Sequence, residues 1–85
     1  MFAFYPNKQM TTGEGGMVTT HSEEEWQLLR SLRNQGRGDS GGWLEHVRLG
    51  FNYRLDDVSA AIGIGQVEKP DEILRLRGAV AGGYN

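Results

Sequence analysis

The sequence predicts an α+β chain in which an N-terminal β-hairpin is followed by about three helices. The runs FAFY and GGMVTT are rich in aromatic or β-branched residues and are bounded by Pro6-Asn7 and by glycines, which is typical of paired strands. Farther along, apolar residues recur at helical spacing behind acidic capping residues. A glycine-rich stretch without such a period separates the first helix from the later ones.

The length of the chain limits how much surface it can bury. With 85 residues it forms one small domain at most, which buries only about 60–65% of the surface of its unfolded chain. No cysteine is present, so no disulfide adds stability. We expect thin stability and four segments: a lysine-bearing hairpin at 1–20, a helix at 21–36, a mobile surface loop at 37–51, and further helices at 52–85.

The first helix has the clearest signals. Ser22 and Glu25 have the spacing of a capping box, and three acidic residues fill the first turn. The apolar stripe that follows consists of Trp26, Leu28, Leu29 and Leu32. Trp26 is therefore expected in the core, whereas Trp43, which has no periodic neighbours, is expected to be an exposed or interface aromatic residue.

Two more helices are predicted after the loop. Asp56 or Asp57 caps the second helix, and Pro70 suits the first position of the third. Apolar residues lie on two faces of the second helix, namely Val58, Ala61, Ile62 and Gly65 on one and Ala60, Ile64 and Val67 on the other. The second helix should therefore be covered on more than one side. The third helix has a partly apolar face formed by Ile73, Leu76 and Val80.

Composition and short motifs exclude several classes of function. A net charge of −2 disfavours nucleic acid, and the apolar stretch at 58–67 is too short for a membrane span, so we expect a cytoplasmic protein. His21 and His46 stand alone, which predicts no metal site. The RGD tripeptide at 37–39 is interpreted as a chance occurrence. The glycine clusters lack the other residues of a nucleotide-binding motif.

Lys8 is the residue that most needs an explanation. It lies between the aromatic run and a glycine cluster, and the other lysine of the chain is Lys69. A lysine at this place is either a solvated residue at a hairpin tip or an amine that performs chemistry.

Two segments resemble a known family. FAFYPNKQMTTGEGGMVTT is similar to the lysine segment of the DegT/DnrJ/StrS sugar aminotransferases, and LGFNYRLDDVSAAIGIGQVEK is similar to the signature that follows it. Together they cover nearly all 85 residues in the family's order. The resemblance implies a fragment from the middle of an α/β fold type I enzyme that uses pyridoxal 5'-phosphate. Segment 1–20 would end the large domain, and 52–85 would lead into the small domain.

The resemblance also implies an activity and a role for Lys8. Lys8 would form the Schiff base with pyridoxal 5'-phosphate in an enzyme that transfers an amino group from an amino acid, with glutamate expected, to a keto group of a nucleotide-linked sugar. Relatives with histidine at this position dehydrate sugars, so Lys8 favours the aminotransferase branch. The alternative is a noncatalytic fragment that acts only as a structural or association module.

Further site residues follow from the resemblance. Asn52 would reach across a homodimer to the cofactor phosphate of the other subunit, because an amide donor suits a phosphate oxygen. The loop that carries Trp43, His46 and Arg48 is expected to border the partner's substrate pocket. Arg54 either assists Asn52 or forms an ordinary surface salt bridge.

The sequence also departs from the family. Ala3 stands where many relatives have a phosphate-binding serine, and Pro70 replaces an apolar helical residue. Family members are several times longer, and the acid that pairs with the pyridine nitrogen and the aromatic residue that stacks on the ring lie outside these residues. We therefore expect a fragment or truncated reading frame whose isolated chain is inactive.

Overall fold

The computed structural model describes residues 1–84, and residue 85, the last of the predicted helical segment 52–85, lies outside the described residues. It contains two strands, β1 (Phe2–Ala3) and β2 (Gly16–Met17), and three helices, α1 (Glu23–Arg33), α2 (Asp57–Val67) and α3 (Pro70–Gly83). The strands form one antiparallel sheet, so the predicted α+β composition is confirmed. Its place within a larger α/β fold stays a prediction.

The chain forms two compact units. The first consists of residues 1–17 and 55–84 and contains the hairpin, α2 and α3, whereas the second is Val18–Arg54 and contains α1 and the loop. The assignment of all four segments to one partial domain stays a prediction. No helix among residues 1–84 is long and apolar enough to cross a membrane.

The hairpin is shorter than the sequence pattern indicates. Phe2 pairs with Met17 and Ala3 with Gly16, and the ladder continues only through the N–H of Phe4, which donates to the Gly15 carbonyl at 2.9 Å. Beyond this point the Phe4 carbonyl accepts the Thr12 N–H at 3.0 Å, so the chain closes on itself instead of continuing as a strand. The residues between the strands therefore form a compact connection rather than an extended ribbon.

Helix α1 begins as predicted and ends three residues before Gly36. The Ser22 hydroxyl oxygen accepts the Glu25 N–H at 3.3 Å, whereas the Glu25 carboxylate accepts from the Thr20 hydroxyl, so only half of the capping box forms. After Arg33 the backbone of Gln35 and Gly36 has φ values of 63° and 73°, which are incompatible with a right-handed helix.

Two glycines tie the loop to the end of α1. A side chain at Gly36 would overlap the Arg48 carbonyl, and a Cβ at Gly50 would lie 2.7 Å from the Leu32 carbonyl oxygen. This close approach lets the Phe51 N–H donate to the Leu32 carbonyl at 3.0 Å. The loop is thus on the surface, as predicted, but its two ends are hydrogen-bonded to α1, and its predicted mobility stays a prediction.

Two predictions about burial were wrong. Trp26 is 46% exposed instead of lying in a core, and the Arg30 guanidinium carbon lies 4.6 Å from the centroid of its ring. Helix α2 buries none of its residues, and Val58 is 73% exposed. The physical reason is size: one helix with a loop, or a two-stranded hairpin, is too small to cover an apolar helix face.

Both later helices begin at the predicted residues. Asp56 caps α2, because its carboxylate accepts the Ser59 N–H at 2.9 Å and the Ser59 hydroxyl at 2.7 Å. Pro70 occupies the first turn of α3, where its missing N–H costs no helical hydrogen bond. Lys69 separates the two helices, with a non-helical backbone at φ −129° and ψ 31°.

The Asp56 cap predicts a pH dependence of helix content. The pKa of the Asp56 carboxyl is lowered from its ordinary value of 3.8, first by the backbone N–H of Ser59 and second by the Ser59 hydroxyl. A carboxyl whose folded pKa is depressed stabilises the fold above its unfolded pKa, and this contribution is lost as the pH falls through the folded pKa. Far-UV circular dichroism should therefore show a loss of helix below about pH 4.

Asparagine also caps helices but does not titrate, which provides a matched pair of variants. Asp56→Asn should make this acid transition smaller, and Asp57→Asn, at the neighbouring position, should leave it unchanged. Equal transitions in both variants would contradict the assignment of the cap to Asp56.

Candidate active site

Lys8 closes a tight turn. Its N–H donates to the Tyr5 carbonyl at 3.0 Å, with Pro6 and Asn7 at the two central positions. Proline fixes φ for the first central position, and asparagine is a common turn residue, so this local sequence favours the turn. The Lys8 side chain is exposed. The predicted hairpin tip is therefore present, and its exposure is compatible with both interpretations of the lysine.

Arg77 of α3 contacts the same turn. Its guanidinium donates to the carbonyl oxygens of Asn7 at 3.3 Å and of Lys8 at 3.4 Å. Arg77 was not among the site residues predicted from the sequence. A signal was present, because Arg77 follows the half-buried Ile73 by four residues and so shares its face of the helix.

Thr11 and Thr12 connect the lysine segment to α2. The Thr11 N–H donates to the Gln66 side chain at 3.2 Å. Thr12 is only 6% exposed, and its hydroxyl donates to the Glu14 carbonyl at 2.7 Å. A Cβ at Gly63 would lie 3.0 Å from the Thr12 methyl group, so the glycine permits this contact. The lysine segment is thus fixed against two helices, although no sequence motif indicated Thr12 or Gln66.

An apolar groove of about 380 Å³ lies beside these threonines. Its lining includes Phe4, Met10, Leu55, Ile64 and Val67. Lys8 does not line it. The groove and the lysine amine are therefore separate features of the first unit.

Asn52 belongs to a hydrogen-bonded cluster in the second unit. Its side-chain oxygen accepts from Arg54 Nε at 3.1 Å, and Arg54 Nη1 donates to the Asn34 side-chain oxygen at 3.0 Å. The alternative role of Arg54, a surface salt bridge, is not what the structure shows, because its partners are amide oxygens. The Asn52 amide N–H groups donate to no group within residues 1–84, so they are available to an acceptor.

The loop residues are exposed, as expected for candidates that contact a substrate. Trp43 is 76% exposed, and the Arg37 guanidinium lies 5.3 Å from its ring centroid. The His46 ring nitrogen Nδ1 is 2.8 Å from the Gln35 carbonyl oxygen. The backbone N–H of Arg48 donates to the Gly36 carbonyl at 3.3 Å, and its side chain is exposed.

The structure places the candidates in two groups. Lys8 lies in the first unit with Arg77, whereas the others, Trp43, His46, Arg48, Asn52 and Arg54, lie in the second. Within its own unit each candidate except Trp43 is held by hydrogen bonds to the backbone or to neighbouring amides, and Trp43 contacts the Arg37 guanidinium. Their roles towards a cofactor or a substrate stay predictions.

The residues of the first unit fit pyridoxal 5'-phosphate in part. The Lys8 amine makes no hydrogen bond or ion pair within residues 1–84, so it is available to bind an aldehyde. Phosphate donors are scarce, because Ala3 has no hydroxyl and the hydroxyls of Thr11 and Thr12 donate to the Phe4 and Glu14 carbonyls. Within the same part of the chain, no group of three His, Cys, Asp or Glu residues is placed to hold a metal ion.

Relatives of this chain carry names of sugar-modifying proteins. It is 43% identical to GDP-perosamine synthase of Caulobacter vibrioides over 98% of the chain and 22% of the relative. It is 41% identical to UDP-4-amino-4,6-dideoxy-N-acetyl-beta-L-altrosamine transaminase of Campylobacter jejuni over 100% of the chain and 23% of the relative. It is 34% identical to the spore coat polysaccharide biosynthesis protein SpsC of Bacillus subtilis over 98% of the chain and 24% of the relative.

The chain therefore spans less than a quarter of the length of these relatives. The family match is not confined to one motif, because it extends over residues 1–85 and so includes both the Lys8 turn and the Asn52 cluster. On this match over its whole length, the chain belongs to the DegT/DnrJ/EryC1/StrS aminotransferase family.

Proposed function

We propose that this chain is the lysine-bearing segment of an enzyme that transfers an amino group from an amino acid, glutamate in our proposal, to a keto group of a nucleotide-linked sugar. The relatives named as a perosamine synthase and as a transaminase support this reaction class. The observation that carries the proposal is Lys8, whose exposed and unpaired amine extends from a turn that is fixed by hydrogen bonds.

Lys8 has two tasks in this proposal. Its neutral amine adds to an aldehyde with loss of water, which a histidine side chain cannot do. Once the substrate amine has displaced it, the lysine amine moves a proton between substrate and cofactor. Pyridoxal 5'-phosphate, when bound, supplies the aldehyde and the electron sink.

The second unit contributes binding groups. The Asn52 amide N–H groups donate to a phosphate oxygen of the cofactor bound by the neighbouring subunit of a homodimer. Their availability supports this role, because Arg54 occupies only the amide oxygen. The loop that carries the exposed Trp43, His46 and Arg48 borders the substrate pocket of the partner subunit. We place the enzyme in the cytoplasm on the basis of its composition.

A noncatalytic association module is the second candidate. It is favoured by one observation: none of the described hydrophobic side chains is buried, so large apolar surfaces are available to bind other protein. The genomic sequence upstream of the first codon distinguishes the two candidates. An open reading frame that continues upstream with the missing acid and aromatic residue supports the enzyme.

The first test concerns Lys8 in the longer enzyme that contains this segment. Lys8→Ala should abolish the borohydride-reducible link to pyridoxal 5'-phosphate and its absorbance band, because no other amine occupies this turn. Lys69→Ala is the matched control and should retain both. A reducible link that persists in Lys8→Ala at unchanged yield would remove Lys8 from the mechanism.

The second test concerns the cross-subunit role of Asn52. Mixed dimers of a Lys8→Ala subunit with an Asn52→Ala subunit contain one site in which both residues are intact, if Asn52 serves the neighbouring site. Such dimers should regain activity that both parent homodimers lack. Activity equal to the average of the two parents would show that Asn52 acts within its own subunit.

The third test concerns the 85-residue chain alone. Without two charge-assisted hydrogen bonds to the cofactor phosphate, each of roughly 1.5–3 kcal/mol, the cofactor binds about a hundredfold more weakly or worse. Titration with pyridoxal 5'-phosphate should therefore show no tighter binding than to a generic lysine peptide, and no half-transamination of glutamate. Saturable binding about tenfold tighter than to that peptide, or measurable turnover, would contradict this expectation.

A further inference from the structure

We propose that Arg77 is a positioning residue for Lys8. Its guanidinium holds the peptide groups of Asn7 and Lys8 and thereby sets the direction in which the lysine side chain leaves the turn. This inference rests on the proposed role of Lys8 and goes beyond it, because it assigns a task to a residue of α3.

The geometry explains why an arginine is suited to this task. Arg77 uses two different nitrogens, Nη2 for the Asn7 carbonyl at 3.3 Å and Nη1 for the Lys8 carbonyl at 3.4 Å. No backbone N–H within residues 1–84 donates to either carbonyl, so the guanidinium is their protein donor. A planar guanidinium can reach two successive carbonyls from two separate nitrogens, whereas a lysine ammonium carries its three donors on a single nitrogen.

The position on α3 separates Arg77 from an ordinary surface arginine. Arg77 shares a helix face with the half-buried Ile73, and its contact joins residues 69 and 70 positions apart along the chain. Arg75 lies on the same helix and makes no side-chain hydrogen bond within the described part of the chain. Arg75 therefore provides a matched control of equal charge.

Amide hydrogen exchange in the 85-residue chain tests the inference directly. In Arg77→Ala the Lys8 N–H, which donates to Tyr5 in the parent, should exchange about fivefold faster, which corresponds to about 1 kcal/mol. Amides of α3 should keep their rates, which distinguishes loss of positioning from melting of the helix. Arg77→Lys should restore part of the protection, and Arg75→Ala should behave as the parent.

A labelling experiment measures the reactivity of the Lys8 amine itself. Pyridoxal 5'-phosphate and borohydride label both lysines in the same sample, and mass spectrometry of peptides separates Lys8 from Lys69. In Arg77→Ala of the longer enzyme that contains this segment, the labelling rate of Lys8 should fall about fivefold relative to Lys69, since an aldehyde held at the site reacts faster with a positioned amine than with a mobile one. An unchanged ratio would overturn the inference.

The outcomes also separate this inference from the proposed function. If Lys8 is not the cofactor-binding amine, trapping in the longer enzyme occurs at another residue while the exchange effect of Arg77→Ala persists. If Arg77 does not position Lys8, trapping stays at Lys8 while its exchange rate is the same in Arg77→Ala and the parent. The inference would also be overturned if the Lys8 N–H of the parent chain exchanged as fast as in an unstructured peptide. The contact of Arg77 with the Asn7 and Lys8 carbonyls would then not stabilise the turn.

Discussion

Hydrogen bonds fix the local geometry of each unit of this chain, in which none of the described hydrophobic side chains is fully buried. In the first unit these bonds converge on the Phe4 carbonyl, which accepts from the Thr12 N–H and the Thr11 hydroxyl, both at 3.0 Å. In the second unit the Leu32 carbonyl accepts the Phe51 N–H at 3.0 Å. Such bonds are directional, so they fix local geometry without a large core.

Glycines make these approaches possible. A side chain at Gly15 would overlap the Thr12 hydroxyl, and one at Gly36 would overlap the Arg48 carbonyl. Gly63, which lies on α2, likewise leaves room for the Thr12 methyl group. Thirteen glycines in a chain of this length therefore do not mark disorder alone, because at these three positions they allow backbone and side chains to come into close contact.

The absence of buried apolar side chains bears on function as well as stability. The turn that carries Lys8 is held locally by polar contacts such as that of Arg77. The apolar faces of α2 and α3 remain open among residues 1–84. The relatives are more than four times as long as this chain, and covering such faces requires more surface than one small unit provides.

Local features could be predicted from the sequence alone. The cap at Ser22, a cap at Asp56 or Asp57 and the start of α3 at Pro70 depend on residues within one helical turn. All three are confirmed, with Asp56 as the cap of α2. The hairpin and the surface position of Lys8 likewise depend on short-range signals. The family also followed from the sequence, because its two signatures are contiguous runs of residues.

Burial and long-range polar contacts could not be predicted in this way. The same apolar stripe that predicted a buried Trp26 is present in the structure, but burial requires a second surface, and the small unit does not provide one. The contact between Arg77 and the Lys8 turn joins segments 69 residues apart, and no local pattern specifies which carbonyl a distant arginine will meet. The sequence by itself thus determined the helix caps, the turn and the family, whereas only the tertiary structure decided which side chains are covered and what holds the lysine, because both depend on segments that are brought together by folding.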